Sequence, residues 1–246
     1  GKKYLHQGIL AQGPSLDQKM NILIMLVNEK KQTSIDTKLE PLVLYMTETF
    51  PKEAKAHSIA GDYFYVAGQP DKAIESYRQT LRCDPNLFPV WNQVLILEFE
   101  QERWTDLQQD ASTCAELFPS YPIPFFFKGY TLNRAGAFTA ALENFSLAEG
   151  VLVNDNALLA EIYLQKGNAY LGLQKQDQAF SAFKEALSIS SNALELSYLH
   201  LLLKYKIELS KATERLQELI LKDASNPSIV FECAFAAFGC PCANAL

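Results

Sequence analysis

Cysteine and histidine, the residue types that most often bind metals or act in catalysis, are few in this chain and lie far apart. Cys240 and Cys242 have one residue between them, whereas paired ligands of a structural zinc site usually have about two to four. No second pair lies at a matching distance, and five cysteines are an odd number that does not complete a disulfide framework. The sequence therefore predicts free thiols, with no metal site and no cofactor.

No group of residues in the chain forms a known catalytic motif. The sequence lacks the serine-hydrolase elbow, the zinc-protease motif and the glycine-rich phosphate loops. His6, His57 and His200 are widely separated, and His57 is predicted to lie at the edge of the core. The charged stretch 98–103 is typical of a solvated helix end. We therefore predict that the chain is not an enzyme, since catalysis would need a domain outside these residues.

Composition narrows the class of protein further. The chain has 246 residues, of which 48% are hydrophobic and 20% charged, and this balance is typical of a globular protein. Its net charge of −6 argues against a partner that is nucleic acid, because such binding needs a basic face. The longest uncharged stretch, 233–246, contains Pro241 and is shorter than the roughly 20 apolar residues of a membrane span. We expect neither nucleic-acid binding nor a membrane helix.

A repeat of 34 residues organises the middle of the chain. Pro51, Pro85 and Pro119 recur at this interval, each after a helix-like run. Unit 54–87 has small or aromatic residues at its positions 8, 11, 15, 20 and 24, which are Gly61, Phe64, Gly68, Ala73 and Tyr77. This spacing resembles the tetratricopeptide repeat, whose pattern is W-x2-L-G-x2-Y followed by A-x3-F and P.

The resemblance divides residues 16–227 into six units, of which the first and last are degenerate. Their bounds are 20–53, 54–87, 88–121, 122–155, 160–193 and 196–227. About four extra residues near 153–158 are expected to lengthen one helix or a connection. Residues 1–15 are predicted to be part of a preceding repeat, and residues 228–246 a following helix with an uncharged tail. Solenoids usually end in a polar cap, whereas this chain ends in an uncharged tail. The chain therefore resembles the middle of a long bacterial repeat protein.

The resemblance implies an all-α fold, a right-handed α–α superhelix of antiparallel helix pairs. Small residues at positions 8, 20 and 27 let the helices approach, and large ones at 4, 11 and 24 fill the gaps. Unit 88–121 departs from this pattern, because Leu95 and Leu107 replace small residues. The expected helices are 16–30, 34–50, 54–67, 71–83, 88–101, 104–117, 122–135, 138–150, 157–173, 176–189, 194–208 and 211–223.

In this family, positions 2, 5, 9 and 12 of each first helix face a concave groove. The residues that the resemblance places there and that we select as partner-binding candidates are Asn28, Lys55, Asp62, Tyr65, Asn92, Ile96, Phe99, Phe126, Tyr130, Asn133 and Asn168. Basic residues are scattered on this face, which argues against a clamp for the C-terminal carboxylate of a chaperone. An alternative is that Phe99 and Phe126 only pack on each other.

The leading hypothesis is a non-catalytic scaffold that binds a protein or peptide, extended or helical, in the groove. The alternative is a structural or assembly module that self-associates as a homo-oligomer or docks a missing domain. Since many of the long bacterial repeat proteins that the chain resembles belong to the cell envelope, a periplasmic location is favoured over a cytoplasmic one.

Overall fold

The computed structural model describes residues 14–30 and 39–189, and every regular element in these two ranges is an α-helix. The ten helices are α1 (Leu16–Lys30), α2 (Glu40–Thr49), α3 (Ala54–Val66), α4 (Pro70–Cys83), α5 (Phe88–Glu100), α6 (Trp104–Leu117), α7 (Pro122–Arg134), α8 (Phe138–Val151), α9 (Asn156–Gly172) and α10 (Gln176–Ile189). Because none of the described residues forms a strand, the prediction of an all-α fold is confirmed.

The helix bounds agree with the expected ones to within one or two residues wherever both ends are described. The start of the helix expected at 34 lies outside the described residues, as do the helices expected at 194–208 and 211–223. The four extra residues lengthen a helix rather than a connection, since α9 has 17 residues whereas α3, α5 and α7 have 13 each. Asp155 caps this longer helix by accepting a hydrogen bond from the Leu158 amide at 2.9 Å.

The chain divides into two compact units after Thr131, within α7. The first contains α1 to α6 and most of α7, and the second contains the end of α7 with α8 to α10. In the second unit Leu164, Leu171, Ala179, Phe183 and Ala186 form a buried cluster between α9 and α10. The repeat bounds inferred from the sequence stay a prediction.

Paired helices touch where a glycine of the first helix receives an aromatic ring of the second. A Cβ atom on Gly61 would lie 2.4 Å from the Tyr77 ring, and one on Gly167 would lie 2.2 Å from the Phe183 ring. These are positions 8 and 24 of their units, as the repeat pattern predicts. In unit 88–121 the sizes are exchanged, with Leu95 at position 8 and Ala111 at position 24, and both are fully buried.

In each clear repeat, the residue at position 15, just after the first helix, has a left-handed backbone conformation. Gly68 and Gly136 have φ of 67° and 79°, as expected for glycine, but Glu102 and Gln174 adopt φ of 55° and 60°. In all four repeats the next amide bonds back to the helix, as Gln69 does to the Phe64 carbonyl at 2.9 Å. The sequence analysis missed the two non-glycine positions because their types do not indicate a left-handed conformation.

Ion pairs connect neighbouring repeats in the first unit. Lys72 Nζ lies 2.9 Å from Glu40 Oε1, and Arg103 Nη2 lies 2.6 Å from Asp71 Oδ1. Each pair joins residues 32 apart in sequence at the beginning of successive second helices. Exposed pairs of this kind contribute little stability, about 0–1 kcal/mol each, but they fix which side chains of successive repeats face each other.

We expect Glu102→Gly and Gln174→Gly to stabilise the chain, because a left-handed conformation costs a non-glycine residue about 1–2 kcal/mol. The free energy of unfolding in urea should rise by about 0.5–1 kcal/mol for each. Gln108→Gly, at an exposed position inside α6, is the control and should lower it. A loss of stability in both position-15 variants would contradict this account of the turn.

The glycine–ring contact can be tested by placing a large residue at position 8 and a small one at position 24, which is the arrangement of unit 88–121. Gly61→Leu should destabilise the chain by about 1–3 kcal/mol through overpacking. Adding Tyr77→Ala should recover part of this loss, which a double-mutant cycle in urea measures as coupling. Gly150→Leu is the matched control, since no atom lies within 4 Å of the position of its Cβ. Additive effects at Gly61 and Tyr77 would show that the two residues do not share a contact.

Candidate functional site

Helix α3 carries three of the predicted groove residues, all exposed. Lys55 Nζ lies 3.2 Å from Asp17 Oδ1 of α1, and Asp62 Oδ1 accepts a 2.8 Å hydrogen bond from the Tyr77 hydroxyl. Burial and, next, the Asp62 carboxylate raise the pKa of Tyr77 above its usual range, so its hydroxyl remains a donor. Tyr65 has no such internal bond among the described contacts and is 46% exposed.

An aromatic cluster joins α5, α6 and α7 within the first unit. The ring centroid of Phe99 lies 5.0 Å from that of Tyr130, 5.4 Å from that of Phe127 and 5.9 Å from that of Trp104. Phe99, Trp104 and Tyr130 are half-buried, whereas Phe126 and Phe127 are buried. Phe126 packs on Phe127 with centroids 5.4 Å apart. The candidate Phe126 therefore offers little surface to a partner, whereas Phe99 and Tyr130 offer more.

Sequence reasoning missed Trp104 and Phe127 as members of this cluster. Both lie outside positions 2, 5, 9 and 12 of a first helix, so the family pattern gives no signal for them. Their place in the cluster follows from the packing of α5 on α6 and α7, which ring contacts reveal and spacing does not. Only residue type could have indicated them. Trp104 is a large aromatic residue next to a connection, and Phe127 is one next to a groove position.

Asn92 presents a polar atom that the fold leaves unsatisfied. Its Oδ1 atom is buried and has no hydrogen-bond partner among the described residues. Ile96 and Phe99 follow at four and seven residues, so the three side chains share one face of α5. An unsatisfied buried acceptor costs about 1–3 kcal/mol, and an N–H donor of a ligand would remove that cost.

Two of the remaining candidates, Asn133 and Asn168, lie in the second unit. In the second unit Asn133 Nδ2 donates to the Gln165 carbonyl at 3.2 Å, and Asn168 Nδ2 lies 3.4 Å from Gln165 Oε1. Both amides therefore have partners within their own unit. The side chain of Asn28 lies outside the described residues.

One prediction about charged residues is wrong. Glu98 was expected at a solvated helix end, but it is fully buried, with Oε1 2.7 Å from Arg78 Nη2. Arg78 belongs to the preceding repeat and also contacts Asp110 of α6 at 3.0 Å and Asp106 at 3.5 Å. Glu98 occupies position 11, where the repeat usually has a packing aromatic residue. Its burial is tolerated because Arg78, which lies 20 residues earlier in the sequence, pairs with it.

A partly buried ion pair lies in the second unit. Lys166 of α9 is buried and bonds through Nζ to Glu149 Oε2, and the Tyr163 hydroxyl donates to Glu149 Oε1 at 2.5 Å. Burial acts to raise the pKa of Glu149, but the hydrogen bonds from Lys166 and Tyr163 outweigh it and hold that pKa below its ordinary value. Glu149 therefore remains ionised and ties α8 to α9.

The other residues considered for chemistry have structural surroundings. His57 Nε2 lies 2.9 Å from the Pro51 carbonyl oxygen. Cys83 and Cys114 are free, and burial raises the pKa of Cys114 to about 12, which keeps its thiol protonated. Within residues 14–30 and 39–189 no three acidic, histidine or cysteine side chains converge as metal ligands. Likewise, no helix described there has both the length and the apolarity to cross a bilayer.

Comparison with known proteins agrees with these features. The sequence profile described as "Tetratricopeptide repeat" matches residues 160–192. The DnaJ homolog subfamily C member 7 homolog of Schizosaccharomyces pombe is 23% identical over 173 residues, which are 69% of this chain and 30% of that protein. The aligned part thus spans less than a third of that relative.

Solved structures share the fold at low sequence identity. Pseudomonas aeruginosa PilF has a TM-score of 0.63 at 17% identity, over 87% of this chain and 96% of that one. YrrB has a TM-score of 0.60 at 16% identity, over 77% and 94%. MamA from Desulfovibrio magneticus has a TM-score of 0.59 at 17% identity, over 71% and 97%. Bacterial proteins are thus among the neighbours, in line with the bacterial resemblance.

In these helix pairs an aromatic ring of the second helix packs against a glycine of the first. Such pairs, when they recur along a chain, define an α–α repeat protein. The family profile shows that residues 160–192 match a tetratricopeptide repeat, and the solved repeat structures share the fold of the chain.

The ion pair of the second unit predicts a sensitivity to acid. Because the pKa of Glu149 is lowered by folding, the stability from its ionised form is present above its ordinary pKa and is lost as the pH falls through the lowered one. Urea-unfolding midpoints between about pH 3 and 7 should fall less steeply with acid in Glu149→Gln than in the wild type. Glu143→Gln, exposed on the same helix, is the control. An unchanged acid slope in Glu149→Gln would contradict the pairing.

Proposed function

We propose that the chain is a non-catalytic scaffold that binds a peptide segment of a partner protein on the face formed by Tyr65 of α3 and by Asn92, Phe99 and Tyr130 of α5 and α7. These four residues are called the peptide face below. All of them lie in the first unit. The alternative, an assembly module that binds copies of itself, is a possible outcome of the test given below.

The observation that carries the proposal is the unsatisfied Oδ1 atom of Asn92. Folding leaves most buried polar atoms paired, so an unpaired acceptor supports a role in which a bound donor completes the hydrogen bond. The backbone N–H of a peptide is such a donor, and every residue of a peptide except proline carries one. The face therefore suits main-chain recognition rather than one particular side chain.

The aromatic residues of the peptide face support the same role. Tyr65 is 46% exposed, and the half-buried rings of Phe99 and Tyr130 pack edge to face. Rings held in place by neighbours give contact area at a small entropy cost, which is typical of hot spots in interfaces. The YrrB structure is described as that of a repeat protein with an unusual peptide-binding site, and by analogy this supports a peptide ligand here. The periplasmic location stays a prediction.

We expect Asn92→Ala and Tyr65→Ala to separate binding from stability. Removing an exposed ring should change the free energy of unfolding by less than about 1 kcal/mol, and removing an unsatisfied acceptor should not lower it. Peptides selected by the wild type from a random library displayed on phage should lose at least about tenfold in affinity to each variant, since hot-spot truncation costs more than about 1 kcal/mol. Titration of the synthetic peptides measures the loss.

Tyr121→Ala is the matched control, because Tyr121 is also an exposed tyrosine of the first unit, 42% accessible, but belongs to the connection before α7. It should retain peptide binding. Equal binding by all three variants would place the surface elsewhere. If the library yields no binder while sedimentation shows concentration-dependent oligomers, the assembly role is favoured instead.

A further inference from the structure

Three carboxyl groups surround one guanidinium group at the contact between α4, α5 and α6. Arg78 Nη2 lies 2.7 Å from Glu98 Oε1, 3.0 Å from Asp110 Oδ2 and 3.5 Å from Asp106 Oδ2. Arg78 Nε makes a further bond to Asp110 at 3.3 Å. The Glu98 side chain has no exposed surface, whereas those of Asp110 and Asp106 are 17% and 42% exposed.

The charges at this contact do not balance if every carboxyl group is ionised. Asp106 is partly neutralised by Arg103, whose Nη1 lies 3.7 Å away. Glu98 and Asp110 then share the single positive charge of Arg78, which leaves one surplus negative charge next to the fully buried Glu98 side chain. An uncompensated buried charge costs several kcal/mol, and taking up a proton removes that cost.

The second oxygen of Glu98 indicates where a proton is held. Oε2 is buried and meets no hydrogen-bond donor among the described residues. An ionised oxygen in that place would be unsatisfied, whereas a protonated one becomes a donor to the Asp110 carboxylate. The proton thus converts a repulsive contact between two acceptors into a hydrogen bond.

We propose that Glu98 holds a proton at neutral pH and donates it in a hydrogen bond to Asp110, and that loss of this proton to base loosens the junction of α4 with α5 and α6. On deprotonation the proton passes to water or hydroxide, and two carboxylates then face the one guanidinium group of Arg78. An open cleft of about 370 Å³, lined in part by Arg78 and Asp110, gives solvent a route to the junction. Because α5 also carries Asn92 and Phe99, the proton holds part of the peptide face in position.

Charged side chains surround Glu98 from helices α4 and α6, and Arg82 of α4 lines the adjoining cleft. Arg78 comes from α4, and Asp106 and Asp110 come from α6. Helix α7 packs on α5 through aromatic residues such as Phe127, and Arg78 is the one ion-pair partner of Glu98 in the described part of the chain. Burial first, and then Asp110, raise the pKa of Glu98 to about 9, although Arg78 acts to lower it.

The raised pKa of Glu98 determines how the stability of the chain changes with pH. The folded pKa of Glu98 lies above its ordinary value of 4.5. The stability that its neutral form contributes is therefore fully present below the ordinary value and is lost as the pH rises through about 9. This trend is opposite to that of Glu149, which ties α8 to α9 in the second unit.

Two measurements test the proposal. In the wild type, carbon NMR of the Glu98 carboxyl group, assigned through its bonds to the Glu98 backbone, should show titration at about pH 9. Because glutamine resembles the protonated acid, Glu98→Gln should lose most of the decrease in urea midpoint that the wild type shows between about pH 6 and pH 9.5. Glu100→Gln, exposed on the same helix, should keep the wild-type decrease.

A Glu98 carboxyl carbon that titrates near its ordinary pKa would overturn the proposal, as would the same pH-dependent decrease in the wild type and in Glu98→Gln. The NMR titration uses the wild-type protein alone, so it decides the question even if the substituted chain fails to fold.

Discussion

The close approach of two helices, where a ring rests on a glycine, is the contact that the other features of this protein require. Tyr77 and Phe183 occupy space that a Cβ atom at Gly61 or Gly167 would take. Each contact sets the distance between a first and a second helix, and so determines which side of the first helix is covered. Residues on the uncovered side, such as Tyr65, remain accessible to a partner.

Much of this arrangement could be predicted from the sequence, because its cause is periodic. The spacing of Gly61 and Tyr77 recurs at Gly167 and Phe183, and a 34-residue interval has one well-populated structural solution. Helix bounds followed from the same spacing to within a residue or two. The exchange of sizes at Leu95 and Ala111 is visible in the sequence once the register is known, although it departs from the family pattern.

What could not be predicted depends on contacts between repeats rather than within them. The burial of Glu98 becomes tolerable only because Arg78 arrives from the preceding repeat, and no local pattern marks that pairing. The left-handed conformation of Glu102 is imposed by the turn and not by its residue type. The rings of Trp104 and Phe127 meet Phe99 because of how the helices are rotated, and hydrophobic spacing does not report rotation.

The two ionic sites show that the groups around a carboxyl group decide whether burial leaves it protonated or ionised. Around Arg78 carboxyl groups outnumber the cation, and burial pushes Glu98 toward its neutral form. Around Glu149 a lysine and a tyrosine donate to one carboxylate, and the ionised form is retained. Burying a carboxyl group therefore has no fixed consequence, because the number of donors that reach it determines which form is stable.

The ion pairs between successive second helices also limit how the gene for this protein can change length. Glu40 faces Lys72 across a separation of 32 residues, and Asp106 occupies in unit 88–121 the position that Lys72 occupies in unit 54–87. Loss of unit 54–87 by recombination would set Asp106 opposite Glu40, acid against acid, and would remove Arg78 from the buried Glu98. The repeats share a backbone but are not interchangeable, because Lys72 and Glu98 each require a charged partner from the repeat before their own.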